Sequence, residues 1–307
     1  MAQRVREVLI VEHDPNIRLL FRELFLRAGY TCLLAGNGGE GLEVFRGSRP
    51  ALIVTELNMP VMRGGERVAG AGIELLQQVR QEDPDATVIV VGGMDVKNHI
   101  VSLKLGAYAH LRKPVNMDEL LIVVERALER CQLLIERREY RERLEEIHRK
   151  SVERSGLHND AVPTMAQREV LIVERDHQAR EALHQIFVSA GYHCLLANDG
   201  REGVEAFKAG RPPLVVTDLK MPGITGIELL QQVWAVDDDV AVIVLTGAAD
   251  VTTAIASLKL GAHDVIMKPV NMDELLIATE RALERRQLLT ERREYHELLE
   301  EIRRKSA

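Results

Sequence analysis

The chain has 307 residues, of which 46% are hydrophobic, and a formal net charge of −7. That length makes two domains of about 150 residues with apolar content for two ordinary cores, and the acidic balance argues against a protein held to nucleic acid through its phosphates, which shows a basic domain. No apolar run is long enough to cross a bilayer, none acts as an N-terminal signal, and Cys32, Cys131 and Cys194 read as small core residues of a reduced protein, so a cytoplasmic location is expected.

The chain is written twice. Glu7 to Pro60 matches Glu169 to Pro222 at a shift of 162, Gly72 to Gly93 matches Gly226 to Gly247 at 154, and from Ser102 against Ser257 onward the shift is 155. The first copy therefore carries extra residues around Val61 to Ala71 and lacks one just after Gly93. In each copy short β-branched runs alternate with segments of helical period, the pattern of βα units that build a parallel sheet, with five units per copy.

Along the first copy, Asp14-Pro15 starts a helix, an Asp cap followed by Pro at the first helical position. The apolar run Ala51 to Thr55 ends at Glu56. Asn116-Met117-Asp118-Glu119 has the form of a capping box and opens the last helix. There Leu121, Val124 and Leu128 cover a sheet, and a second stripe follows at Leu133, Arg137, Tyr140, Leu144 and Ile147. A helix from Asp118 to about Lys150 is roughly 50 Å long, so its second half projects from the domain. Such a stripe wants a partner helix, in a homodimer or within the same chain; the plainer alternative is a solvated helix laced by i,i+4 ion pairs. Ser155-Gly156 and Pro163 mark a flexible linker. In the second copy strands are expected near Val170–Val173, His193–Ala197, Leu214–Thr217, Ala241–Leu245 and Asp264–Met267. Helices are expected near His177–Ala190, Gly200–Ala209, Gly226–Ala235, Asp250–Leu260 and from Met272 onward, with the second stripe at Leu288, Arg292, Tyr295, Leu299 and Ile302. Asp237-Asp238-Asp239 is expected as a solvated loop before the fourth strand.

Chemistry in a parallel α/β sheet gathers in the crevice at the carboxyl edge. In the second copy that edge holds Glu174-Arg175-Asp176 after strand one, Asp218 after strand three, Thr246 after strand four and Lys268-Pro269 after strand five. Acids so placed hold a divalent cation or accept a phosphoryl group, and a lysine with a hydroxyl binds phosphoryl oxygens. The chain has no Gly-x-x-x-x-Gly-Lys-Ser/Thr loop, no Gly-x-Ser-x-Gly elbow and no Cys/His metal spacing, and no glycine loop to suit a flavin or nucleotide.

Val170-Leu171-Ile172-Val173 followed by acids, Asp218-Leu219-Lys220-Met221-Pro222, Leu245-Thr246-Gly247 and Lys268-Pro269, at these spacings, resemble the receiver domain of two-component response regulators, over nearly all of both copies. The resemblance implies an α/β fold: two flavodoxin-like (βα)5 receiver domains with parallel sheets of order 2-1-3-4-5, each with an extended C-terminal helix. It also implies that Asp218 accepts phosphate from a histidine kinase, Lys268 bridges to the phosphoryl group and Thr246 swings towards it as a switch. Mg²⁺ would be held by the acidic pair, the acceptor and the Lys220 carbonyl, here Glu174, Asp176, Asp218 and Lys220.

The chain departs from that family at several of these positions. Arg175 stands where the family has the acid that ligates Mg²⁺ directly, and a guanidinium cannot ligate a cation, so weak Mg²⁺ binding is expected and the guanidinium replaces part of the metal charge. Asp176 reads either as a ligand or as a helix cap. Val265 occupies the aromatic switch position. In the first copy Glu12, His13 and Asp14 form the acidic run, Glu56 replaces the acceptor, Gly92 the switch hydroxyl and His110 the aromatic, while Lys113 is kept. The extra methylene carries the Glu56 carboxylate about 1.5 Å further towards Lys113. His13 is either an exposed loop residue or pairs with Glu56 or Asp14 in place of a metal.

The expected organisation is a degenerate receiver at 1–130, a helical extension at 131–153, a linker at 154–166, a receiver retaining its acceptor at 167–285 and a second helical extension at 286–307. The expected function is phosphorelay response regulation, with phosphoryl accepted on Asp218 and signal passed by protein contact without an output domain. No enzyme activity is expected beyond assistance to its own phosphotransfer and dephosphorylation. The expected partners are a histidine kinase or phosphotransfer protein, a downstream protein and a second copy of the chain, with no nucleic acid and no membrane insertion. The rival reading is a phosphorylation-independent scaffold of two pseudo-receivers.

Overall fold

The computed structural model describes residues 6–63, 66–93, 96–155, 168–247 and 251–306, with the side chains of 61–63, 66–69, 96–97, 144–155, 251, 302–303 and 305–306 outside the description. The chain divides into two compact units, Met1–Gln132 and Leu133–Ala307.

The first unit runs β1 (Glu7–Val11), α1 (Pro15–Arg27), β2 (Thr31–Ala35), α2 (Gly38–Ser48), β3 (Leu52–Glu56), β4 (Pro60–Arg63), β5 (Glu66–Ala69), α3 (Ala71–Glu82), β6 (Thr87–Gly92), α4 (Val96–Lys104), β7 (Ala109–Arg112) and α5 (Met117–Ser155). Its main sheet is parallel throughout in the order β2-β1-β3-β6-β7. Strands buried on both faces read as continuous apolar runs, and alternate side chains feed two cores. Leu9, Val11 and Ile53 pack with Leu75, Leu76 and Val79 on one face, and Val8, Ile10, Leu52 and Val54 pack with Phe21, Phe25, Leu120 and Val124 on the other. Asp14 caps α1 through its carboxylate, which accepts from Asn16 N at 2.8 Å, and Asn116 caps α5 by accepting from Asp118 N and Glu119 N. The extra segment of the first copy is a hairpin: β4 and β5 pair antiparallel from Pro60↔Ala69 to Arg63↔Glu66.

The second unit contains β8 (Glu169–Val173), α6 (His177–Ser189), β9 (His193–Ala197), α7 (Gly200–Gly210), β10 (Leu214–Asp218), α8 (Gly226–Trp234), β11 (Ala241–Thr246), α9 (Val251–Leu260), β12 (Asp264–Met267) and α10 (Met272–Ser306). Its sheet repeats the order, β9-β8-β10-β11-β12, again parallel. Thr225 and Glu228 close a full capping box at the start of α8, which fixes the loop that follows Asp218.

Within this unit Leu133 and Leu134 cluster with Leu288 and Leu289, and the Tyr140 ring stacks on Tyr295 at 3.8 Å between centroids. The stripes are thus paired within one chain over these residues; the side chains of Leu144, Ile147 and Ile302 fall outside the description, and of the linker expected at 154–166 the first two residues are the end of α5 while 156–166 fall outside the described residues. The triple aspartate is not a free loop. Asp237 pairs with Arg286 at 2.9 Å and Asp239 with Arg293 at 2.6 Å, because α10 continues past the sheet and brings its basic residues alongside.

Candidate functional site

At the carboxyl edge of the second unit, β8 delivers Glu174, β10 ends on Asp218, β11 ends on Thr246, and β12 leads into Lys268. Lys268 Nζ donates to Glu174 Oε2 at 2.6 Å and to Asp218 Oδ2 at 2.7 Å. The other oxygen of each acid accepts from the backbone: Glu174 Oε1 from Asp176 N at 3.0 Å, Asp218 Oδ1 from Lys220 N at 3.0 Å. Glu174 is 1% exposed, and the Asp218 side chain retains 14% of its surface at the mouth of the crevice. Burial acts to lower the pKa of Lys268, but its bonds to Asp218 and Glu174 outweigh this and hold it above the ordinary lysine value.

The sequence-predicted residues do not all converge. Glu174, Asp218 and Lys268 meet. The Asp176 carboxylate turns to the helix, accepting from Ala179 N at 2.8 Å as the cap of α6. The Thr246 hydroxyl is buried and donates to Gly247 O at 3.4 Å. Arg175 is exposed, and its guanidinium makes no hydrogen bond or ion pair among the described residues.

The first unit fills the same crevice differently. Lys113 Nζ donates to Glu56 Oε1 at 2.8 Å and to Glu12 Oε2 at 3.0 Å, while His13 Nδ1 lies 3.1 Å from Glu12 Oε1 and donates to Glu56 Oε2. His13 therefore reaches the Glu56 carboxylate, and Asp14 caps α1. Burial and the neighbouring Glu56 raise the pKa of Glu12. Burial also opposes ionisation of Glu56, but its bonds to Glu12, Lys113 and His13 outweigh this and hold its carboxyl below the usual range. Burial would lower Lys113 too, yet the two carboxylates raise it. Gly92 borders the buried His110 ring, whose Nδ1 bonds Ser102 Oγ at 2.7 Å. Ser102 matches Ser257 of the second copy, but its bond to His110 is not legible from that match.

Mg²⁺ takes near-octahedral oxygen ligands. An acidic cluster is present in both units, but the donor sets do not fit that ion. In the second unit both inner carboxylates are committed to Lys268 and to backbone N–H groups, Asp176 is a cap, and Arg175 stands at the ligand position. In the first unit Glu12, His13 and Glu56 bring one ligand atom each within 4.8 Å of one another, with Lys113 on the same carboxylates.

Two doubly wound parallel sheets, each with acids at the ends of its first and third strands bridged by a lysine after its fifth, define receiver architecture. The model of the response regulator receiver domain matches residues 8–125 and again 170–280, and the chain belongs to that family. It is 40% identical over 131 residues to the C4-dicarboxylate transport transcriptional regulatory protein DctD of Pseudomonas aeruginosa, covering 43% of this chain and 28% of that protein. It is 39% identical over 117 residues to the response regulator MprA of Mycolicibacterium vanbaalenii, covering 38% of this chain and 50% of that one. The chain thus spans half or less of the length of these relatives. Among solved structures, a response regulator receiver domain protein from Clostridium thermocellum aligns with 30% identity and a TM-score of 0.39, over 39% of this chain and 98% of that one. Among the described residues no helix is long and apolar enough to cross a membrane.

Proposed function

We propose that the second unit is a phosphoacceptor of two-component signalling, taking a phosphoryl group on Asp218 from a histidine kinase or phosphotransfer protein, and that the first unit is a pseudo-receiver fixed in one state. The observation that carries this reading is the contrast between two carboxylates at one rim position. Glu56 is held by both Lys113 and His13, whereas Asp218 is oriented by Lys268 and Lys220 N with no histidine bound to it among the described residues. A phosphoryl group on Asp218 adds charge for Lys268 to bind and offers the Thr246 hydroxyl an acceptor, which biases the packing of the loop and α9 behind it. Signal then passes by protein contact, with α5 and α10 as a coiled-coil docking element, in the cytoplasm, and without chemistry on any other substrate.

Peptide mapping of the full chain after treatment with acetyl phosphate and Mg²⁺ tests the reading. One hydroxylamine-sensitive phosphate on Asp218, absent from Asp218→Ala, is the expected result. Label on Glu56, or undiminished label in Asp218→Ala, would refute it. Arg175 at the metal-ligand position favours a second reading, a scaffold of two pseudo-receivers, and a chain that takes no label under any condition would establish it over the first.

A further inference from the structure

We propose that the second unit takes its phosphoryl group without a divalent cation, the Arg175 guanidinium supplying the positive charge that the phosphoryl oxygens need. This rests on the reading of Asp218 as the acceptor. The two copies serve as mutual controls. In the first, the residue at this position, His13, reaches into the crevice and binds Glu56. In the second, the Arg175 side chain makes no hydrogen bond or ion pair with Glu174 or Asp218 among the described residues, and Lys268 alone bridges those two carboxylates. Arg175 instead lines an open cavity of about 440 Å³ together with Leu219, Lys220 and Met221, the residues that directly follow Asp218 in the chain, and with Thr225 and Thr253. A planar fork of N–H donors with no hydrogen-bond partner among the described residues, one residue along the chain from Glu174, which shares its lysine partner with Asp218, suits the geometry of phosphoryl oxygens.

The charge balance points the same way. Glu174 and Asp218 cancel Lys268 and Arg175 before reaction. Phosphorylation replaces the single charge of Asp218 by the roughly two charges of an acyl phosphate, leaving the rim near −1, where a neutral residue at position 175 would leave it near −2. With acetyl phosphate the step needs no proton. An Asp218 oxygen attacks phosphorus, the bond from phosphorus to the acetyl oxygen breaks, and acetate departs with the electron pair.

The full chain is incubated with acetyl phosphate in Mg²⁺ or in excess EDTA, and phosphorylation is followed by intact mass. The native chain is expected to take label on Asp218 in EDTA at a rate close to that in Mg²⁺. Arg175→Ala should slow the metal-free reaction by at least about tenfold, equivalent to about 1.4 kcal/mol in the barrier. Arg175→Asp, which restores an oxygen ligand, should make labelling depend on Mg²⁺. Arg175 is exposed, so neither variant disturbs the core. Native labelling that requires Mg²⁺, or metal-free labelling unchanged in Arg175→Ala, overturns the inference while leaving Asp218 as acceptor. No label in the native and Arg175→Asp chains under either condition overturns the acceptor reading, and the inference with it.

Discussion

Gly92 and His110 fit together because one of them has no side chain: a Cβ at Gly92 would stand 2.9 Å from His110 Nε2, closer than such atoms pack. The Ser102 hydroxyl donates to His99 O at 2.8 Å, so His110 Nδ1–H is the donor in the 2.7 Å bond to Ser102 Oγ, and the ring is tethered inside. The second unit has Thr246 and Val265 at the matching positions. Gly92→Thr should therefore destabilise the first unit by roughly 1–3 kcal/mol through overpacking. Adding His110→Val, the combination used by the second unit, should recover most of the loss. Hydrogen exchange of peptides covering β6 and β7 measures both, and penalties that simply add would disprove the steric coupling.

Much of this was legible in the sequence, for identifiable reasons. Runs such as Val8 to Val11 and Val170 to Val173 are buried on both faces, so they stand out as continuous apolar strands, and the repeat supplies each boundary twice. Glu174, Asp218 and Lys268 were readable as one site because parallel strands end on the same edge. The remainder depended on contacts that spacing does not encode. The hairpin of β4 and β5 could be located as an insertion but not recognised as strands, since its register is set by pairing with itself. Whether Asp176 faces a cation or caps α6 is decided by one side-chain rotation, and whether His13 meets Glu56 or Asp14 by another. Asp237 and Asp239 looked solvated because Arg286 and Arg293 are distant in sequence and approach only where α10 outruns the sheet.

Lys113 bridges two neighbouring carboxylates, Glu12 and Glu56. Lys113→Met should cost on the order of 1.5–3 kcal/mol, the range for hydrogen bonds to charged groups. Glu56→Gln in the same background should return part of it. The pKa of Lys113 is raised in the fold, so its contribution is fully present below the unfolded lysine value of about 10.4 and is lost as pH rises through the folded value. On the acid side, the lowered Glu56 gives stability that disappears as pH falls through its folded value, while the raised Glu12 carries a cost that the same fall relieves. Lys113→Met should therefore diminish the alkaline loss at this site. Calorimetric melting from neutral to strongly alkaline pH checks this; an equally steep alkaline loss in the variant would contradict it.

Burial pushes the Cys194 thiol up to about 11 and raises Cys32 and Cys131 in the same direction. The thiolate is the nucleophile, so near neutral pH Cys194 in the native chain should react with iodoacetamide on the order of a hundredfold more slowly than an unperturbed thiol. The rate should climb as pH approaches 11. Mass-resolved alkylation of native and urea-unfolded chain gives the comparison, and equal rates at neutral pH would rule out the shift.

Tyr295 is 4% exposed and lies under Tyr140 with the rings tilted by only 17°, yet its hydroxyl is buried with no hydrogen-bond partner among the described residues. The ring and the hydroxyl should therefore act in opposite senses. Tyr295→Ala should cost about 3 kcal/mol, the lower end for deleting a buried aromatic. Tyr295→Phe should be neutral or mildly stabilising, because it removes a polar group whose desolvation is uncompensated. Tyr140 is less buried, and its hydroxyl bonds His296 at 3.2 Å on the exposed side, so Tyr140→Ala should cost less than Tyr295→Ala. The same measurements bear on assembly. Rings that stack within one chain give a melting temperature independent of chain concentration, whereas the same stripe paired in a homodimer gives one that rises with concentration. Melting across a hundredfold dilution series, on native chain and all three variants, decides between them. A concentration-dependent melt would move the Tyr140–Tyr295 contact to a dimer interface, and a Tyr295→Phe chain less stable than native would show that the hydroxyl is satisfied after all.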